Sequence, residues 1–129
     1  MISSLTCTSP SLRGIVLFAH GSRDPQWRVP IEAVAAQIRA RQPDTAVCCA
    51  YLEICAPTLP DAAALLIAGG VREIRVFPVF FGVGKHARED LPLLIASIRA
   101  EHPGVRVELL PTAGEYDRLT ALMADIALS

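Results

Sequence analysis

At 129 residues the chain has the length of one domain with a single core, and a net charge of -1 with a pI near 6.3 excludes a global basic surface for nucleic acid. Hydrophobic residues make up 52%, yet no apolar run reaches the roughly 18 residues of a membrane span. The best candidate, Ala62 to Val71, is too short and is broken by Gly69-Gly70. The apolar excess suits a parallel sheet covered on both faces, or a subunit interface.

Residues 1–13 contain no basic start followed by an apolar stretch, so they read as a flexible tail ahead of a single domain at 14–129. Ile15-Val16-Leu17-Phe18-Ala19 is a continuous run of strand formers and predicts the first strand. Ile31, Val34, Ala35 and Ile38 then repeat at helical spacing. Pro30 stands either at that helix's start or at a kink in a helix begun at Pro25. Ala46 to Leu52 predicts the second strand. Thr58-Leu59-Pro60-Asp61 opens a helix over 59–68, with a hydroxyl to cap free N–H groups and an acid in the first turn; Gly69-Gly70 ends it. Ile74 to Phe77 predicts the third strand, which stops beside Pro78 because proline cannot donate to a sheet ladder. Leu91, Leu94, Ile95 and Ile98 mark the third helix, closed by His102-Pro103-Gly104. Val105 to Leu110 predicts the fourth strand, and Leu119, Leu122, Met123 and Ile126 the fourth helix.

Strands alternating with helices imply an α/β fold: a four-stranded parallel sheet of flavodoxin-like order 2-1-3-4, helices on both faces. In that order the switch point lies between strands 1 and 3, and ligands bind beyond the carboxyl ends of the strands there. Cys7, Cys48, Cys49 and Cys55 form no C-x-x-C pair and read as small core residues in a reducing compartment. A cytoplasmic protein is expected.

Two of the three histidines fall where the switch-point rule points. His20 directly follows the first strand, and His86 is expected in a loop running from Phe80 to Pro92. Imidazole ligates first-row divalent metals and accepts a proton near neutrality. Either histidine alone reads better as a loop or capping residue; the pair on adjacent strand ends points to chemistry. His102, in a helix-ending His-Pro-Gly, reads as surface. Glu53 ends the second strand, and His20, Glu53 and His86 are evenly spaced, one βα unit apart. Two imidazoles and a carboxylate make a three-ligand set with open coordination, though Glu53 equally suits a helix cap or an arginine partner. Gly21, Gly82 and Gly84 permit close approach of a flat ligand. Arg23, Arg28, Lys85 and Arg88 offer cations for carboxylates, offset by Asp24, Glu89 and Asp90.

With these residues in view, the chain resembles the sirohydrochlorin chelatase family of the CbiX type, in its short single-domain form. The resemblance rests on His20-Gly21-Ser22-Arg23-Asp24-Pro25, on Leu52-Glu53 with Pro57 and Leu59-Pro60, and on Gly84-Lys85-His86-Ala87-Arg88-Glu89-Asp90-Leu91-Pro92. It implies a class II chelatase fold and ATP-independent insertion of a divalent metal into a sirohydrochlorin-like tetrapyrrole. His20, His86 and Glu53 would serve as catalytic and metal-binding residues, and Ser22, Arg23, Gly84, Lys85 and Arg88 as substrate contacts. The metal, cobalt, iron or nickel, would be a substrate, with no permanently bound cofactor. Single-domain members look like half of the longer two-domain chelatases, which implies a homodimer. Competing readings are a non-catalytic metal or tetrapyrrole carrier on the same scaffold and a histidine-dependent phosphatase. The phosphatase needs an arginine before its first histidine, where this chain has Ala19. A flavin module lacks its Ser/Thr-rich phosphate cradle here.

Overall fold

A computed structural model describes residues 12–129. Strand β1 (Arg13–Ala19) leads through a short 3-10 turn (Pro25–Arg28) into α1 (Val29–Arg41). Next come β2 (Ala46–Tyr51), α2 (Leu59–Ala68), β3 (Glu73–Pro78), α3 (Lys85–Glu101) and β4 (Arg106–Leu109). A second 3-10 turn (Ala113–Glu115) precedes α4 (Asp117–Leu128). All three strand pairs are parallel and the order is β2-β1-β3-β4, as the alternation predicts. Cys7 and most of the expected N-terminal tail lie outside the described residues. Arg13, assigned to that tail, opens β1, and its guanidinium pairs with Glu73 at 3.2 Å.

Alternate residues of each strand face opposite layers. Val16 and Phe18 of β1, Ile74 and Val76 of β3 and Val107 of β4 pack under α2 and α3 through Leu59, Ala62, Leu66, Leu91, Ile95 and Ile98. Burying each large aliphatic or aromatic side chain of this layer contributes roughly 1.5–3 kcal/mol. The opposite layer is smaller: Leu17, Ala19 and Tyr51 meet Ile31 and Ala35 of α1. Adjacent Cys48 and Cys49 divide between the two layers. Burial pushes both thiols above their ordinary range, so they behave as core atoms and not as nucleophiles.

Local signals act largely as read. Thr58 caps α2, its hydroxyl accepting from the Asp61 N–H at 3.2 Å. Gly70 takes a φ of +101° after the helix. Pro30 sits in the first turn of α1, where its missing N–H has no partner to lose.

Two expectations change. Helix α3 begins at Lys85, so His86, Arg88, Glu89 and Asp90 are helical rather than in a loop to Pro92. Pro92 forfeits one backbone bond within the helix, a smaller effect than the buried Leu91, Ile95 and Ile98 stripe that continues the helix past it. Helix α4 forms as the spacing predicts but buries none of its residues; Leu122, Met123 and Ile126 stay exposed. The sheet face over β3 and β4 on that side is correspondingly open, and the Arg75–Glu108 ion pair lies there with both side chains more than half exposed.

Candidate active site at the carboxyl edge of the sheet

His20 is the first residue beyond β1, and Glu53 lies two residues beyond β2. The strands stay zipped past their formal ends: the Leu52 N–H donates to the Ala19 carbonyl at 2.9 Å and the Glu53 N–H to the His20 carbonyl at 3.1 Å. That extension aligns the side chains, and His20 Nε2 meets Glu53 Oε1 at 3.0 Å. Both side chains remain more than half exposed, so the pair is open to a ligand. Gly21 turns the chain away at once, with a φ of +114° that side-chain-bearing residues rarely adopt.

His86 arrives from the other side of the switch point, in the first turn of α3. His20, Glu53 and His86 line one cleft of about 510 Å³, with Leu52, Phe80, Val83, Gly84, Lys85 and Asp90 among its other walls. Asp90 stands one helical turn after His86, a fourth possible ligand or proton acceptor in the cleft that the sequence reading counted only as a charge offsetting the nearby cations. Its signal was the i, i+4 spacing, hidden as long as the segment was taken for a loop. Among the described residues no three His, Cys, Asp or Glu side chains stand close enough to enclose one ion. His86 therefore lines the same cleft as the His20–Glu53 pair without joining it in a cage.

The expected substrate contacts separate. Gly84 and Lys85 line the cleft. Arg88 lines a neighbouring groove and donates to the Val83 carbonyl at 3.3 Å. Ser22 and Arg23 line neither; the Ser22 hydroxyl instead accepts from the Asp24 N–H at 3.1 Å and shapes the turn after Gly21. His102 caps the end of α3, far along the helix from His86.

The N–H groups at the start of α3 have no partners within the helix, and the residues of that turn, Gly84, Lys85 and His86, line the cleft, where Lys85 adds a positive charge. The cleft thus offers nitrogen and carboxylate donors for a cation at one place, and a positive helix end for carboxylates at another.

Fold and site together define a doubly wound α/β protein whose polar residues gather at the switch point of a 2-1-3-4 sheet, the place where this class holds its ligand. The chain belongs to the CbiX family, whose model matches residues 14–127. Over 82 residues it is 34% identical to the sirohydrochlorin cobaltochelatase of Methanococcoides burtonii, covering 64% of this chain and 63% of that protein. This chain therefore spans less than two thirds of that relative's length. Its structure superposes on a CbiX protein from Marinobacter aquaeolei VT8 with a TM-score of 0.77 and 31% identity, over 90% of this chain and 94% of the other. It also shares its fold with the sirohydrochlorin chelatase SirB from Bacillus subtilis subspecies spizizenii, solved with cobalt. There the TM-score is 0.72 at 23% identity, over 90% of this chain but 51% of SirB.

No helix among the described residues is long and apolar enough to cross a membrane.

Proposed function

We propose that this protein inserts a divalent metal, cobalt or iron, into sirohydrochlorin or a closely related tetrapyrrole without ATP. Membership of the CbiX family and similarity to a sirohydrochlorin cobaltochelatase support the reaction class. The observation that carries it is the open cleft lined by an exposed His20–Glu53 pair and by His86.

Insertion makes two demands on such a site. The metal must be held while it sheds water, yet released to the ring, so a closed cage of protein ligands would be counterproductive. An exposed imidazole–carboxylate pair with a second imidazole opposite satisfies this, because it leaves one side of the ion for the pyrrole nitrogens. Two pyrrole N–H protons must also leave as the divalent ion enters, keeping the inner ring's charge balanced. His20, His86, Glu53 and Asp90 supply acceptors on both walls of the cleft. The free N–H groups of α3 and Lys85 hold peripheral carboxylates of the ring. Two nitrogens and oxygens suit cobalt, nickel and iron alike, so selection among them follows supply as well as affinity. Cobalt is favoured here by the methanogen relative.

We further propose that the protein works in the cytoplasm as a homodimer. The match to half of SirB's length supports two such domains per functional unit. So does α4, whose apolar row borders a groove with Phe77, Leu110 and Tyr116 and is left uncovered by the described residues of a single copy. The test is to follow the absorption spectrum of sirohydrochlorin with the protein and Co2+, Fe2+ or Ni2+ in turn. Insertion well above the uncatalysed background, turning over many rings per subunit, is expected; stoichiometric binding without product would overturn the enzymatic reading.

A further inference from the structure

Beside the histidine cleft lies a second groove of about 590 Å³, between the segment after β3 and the segment after β4. Val83 borders both, so the two adjoin along the carboxyl edge of the sheet with Val83 between them. Phe80 and Phe81, neighbours in sequence, are treated in opposite ways. Phe80 turns inward, packs edge-to-face on Phe18 at 5.9 Å and lines the cleft. Phe81 lines the groove and is 66% exposed.

The backbone that carries both rings is pinned to the segment after β4. The Gly114 N–H donates to the Phe80 carbonyl at 3.0 Å, and a Cβ at Gly114 would stand 1.8 Å from the Phe81 carbonyl oxygen. Glycine at 114 thus lets the β4 segment clamp the Phe80–Phe81 peptide, holding one ring in the core and the other out on the rim. A large aromatic surface left in water next to a ligand cleft gains hydrophobic stabilisation when a flat apolar partner covers it.

We infer that Phe81 is a stacking platform for the conjugated macrocycle, and that the groove it borders receives the ring's carboxylate-bearing edge. The inference rests on the tetrapyrrole reading above. Arg88 is the one cation among the described residues that line the groove. The groove's acid, Glu115, is already engaged by the N–H and hydroxyl of Thr112 at 2.9 and 2.8 Å. A carboxylate arm therefore enters at the Arg88 end, while the ring spans the Val83 ridge with its nitrogens over the histidine cleft. Phe81 acts here as a binding residue that does not touch the metal.

The test uses the full chain and metal-free sirohydrochlorin, titrated by absorption, together with steady-state insertion. Stacking on an aromatic side chain is typically worth about tenfold in affinity. Phe81→Ala and Phe81→Leu should each raise Kd and KM about tenfold, the loss falling on KM rather than kcat, and Phe81→Trp should restore both. Leucine keeps apolar bulk without a π face, so an effect that leucine rescues would overturn the platform. So would an unchanged Kd in Phe81→Ala, or a change of molecular mass in that variant, which would make Phe81 a subunit contact. A wild-type protein that neither binds nor metallates the ring would instead sink the tetrapyrrole reading itself.

Discussion

The α-carbon of Gly21 lies so close to the backbone of Glu53 that a Cβ there would stand 1.9 Å from the Glu53 carbonyl oxygen. Glycine at this position is what allows the segments after β1 and β2 to continue side by side, and their alignment is what sets His20 against Glu53. Gly21→Ala must either spread the two segments or abandon a φ of +114°. We expect a loss of about 1–3 kcal/mol in stability and a drop in insertion rate of at least about tenfold. Thermal melts and insertion assays on the same preparation check this. An alanine variant of unchanged melting point and rate would show that the contact has no role in building the site.

The imidazoles and the carboxylate should separate in their effects. His20→Ala and His86→Ala each remove a metal donor or proton acceptor, and insertion should fall by about a hundredfold or more. Glu53→Gln keeps the shape and a hydrogen bond to His20 but loses the charge, with an expected loss of about 10–100-fold. Initial rates at saturating metal and ring measure all three. Wild-type rates in both histidine variants would take the chemistry out of this cleft.

Glu115 provides a pH-dependent signature for the turn that borders the groove. The Thr112 N–H and hydroxyl both donate to its carboxylate and hold it below the ordinary value of 4.5. The folded state therefore favours the ionised form. Its contribution is present above the ordinary value and disappears as pH falls through the lowered one. Melting temperature measured from neutral to acidic pH should fall more steeply in the wild type than in Glu115→Gln, the curves converging in acid. Parallel curves would mean that the Thr112–Glu115 contact gives no pH-dependent stability.

Helix α4 yields the sharpest test of assembly. Leu122 and Ile126 are 53% and 65% exposed in one copy. Replacing both with aspartate should leave a single copy folded while removing its reason to pair. Sedimentation should give twice the chain mass for the wild type and one chain mass for the Leu122→Asp, Ile126→Asp variant, with native-like circular dichroism. A wild type that sediments as a single chain at micromolar concentration would defeat the dimer.

Strand and helix identities were legible in the sequence because each depends on short-range patterning. Continuous apolar runs such as Ile15 to Ala19 suit a strand covered on both sides, and Thr58 with Asp61 signals a helix start within four residues. Parallel pairing and the 2-1-3-4 order followed from alternation and handedness. The start of α3 was less legible. Pro92 is a local breaker signal, whereas the energy that overrides it comes from Leu91, Ile95 and Ile98 packing on a sheet distant in sequence. The identity of Asp90 as a cleft residue was lost with it.

The sequence by itself determined which chemistry is available, by placing His20, Glu53 and His86 at successive strand ends, since residue type and βα periodicity are local properties. The tertiary structure alone decided how those groups meet. It put Glu53 within 3.0 Å of His20 and brought His86 into the lining of the same cleft. It turned Phe81 outward and left the apolar row of α4 uncovered. These outcomes depend on backbone contacts between segments far apart in the chain, Gly21 against Glu53 and Gly114 against Phe81, and no pattern within either segment encodes the other's position.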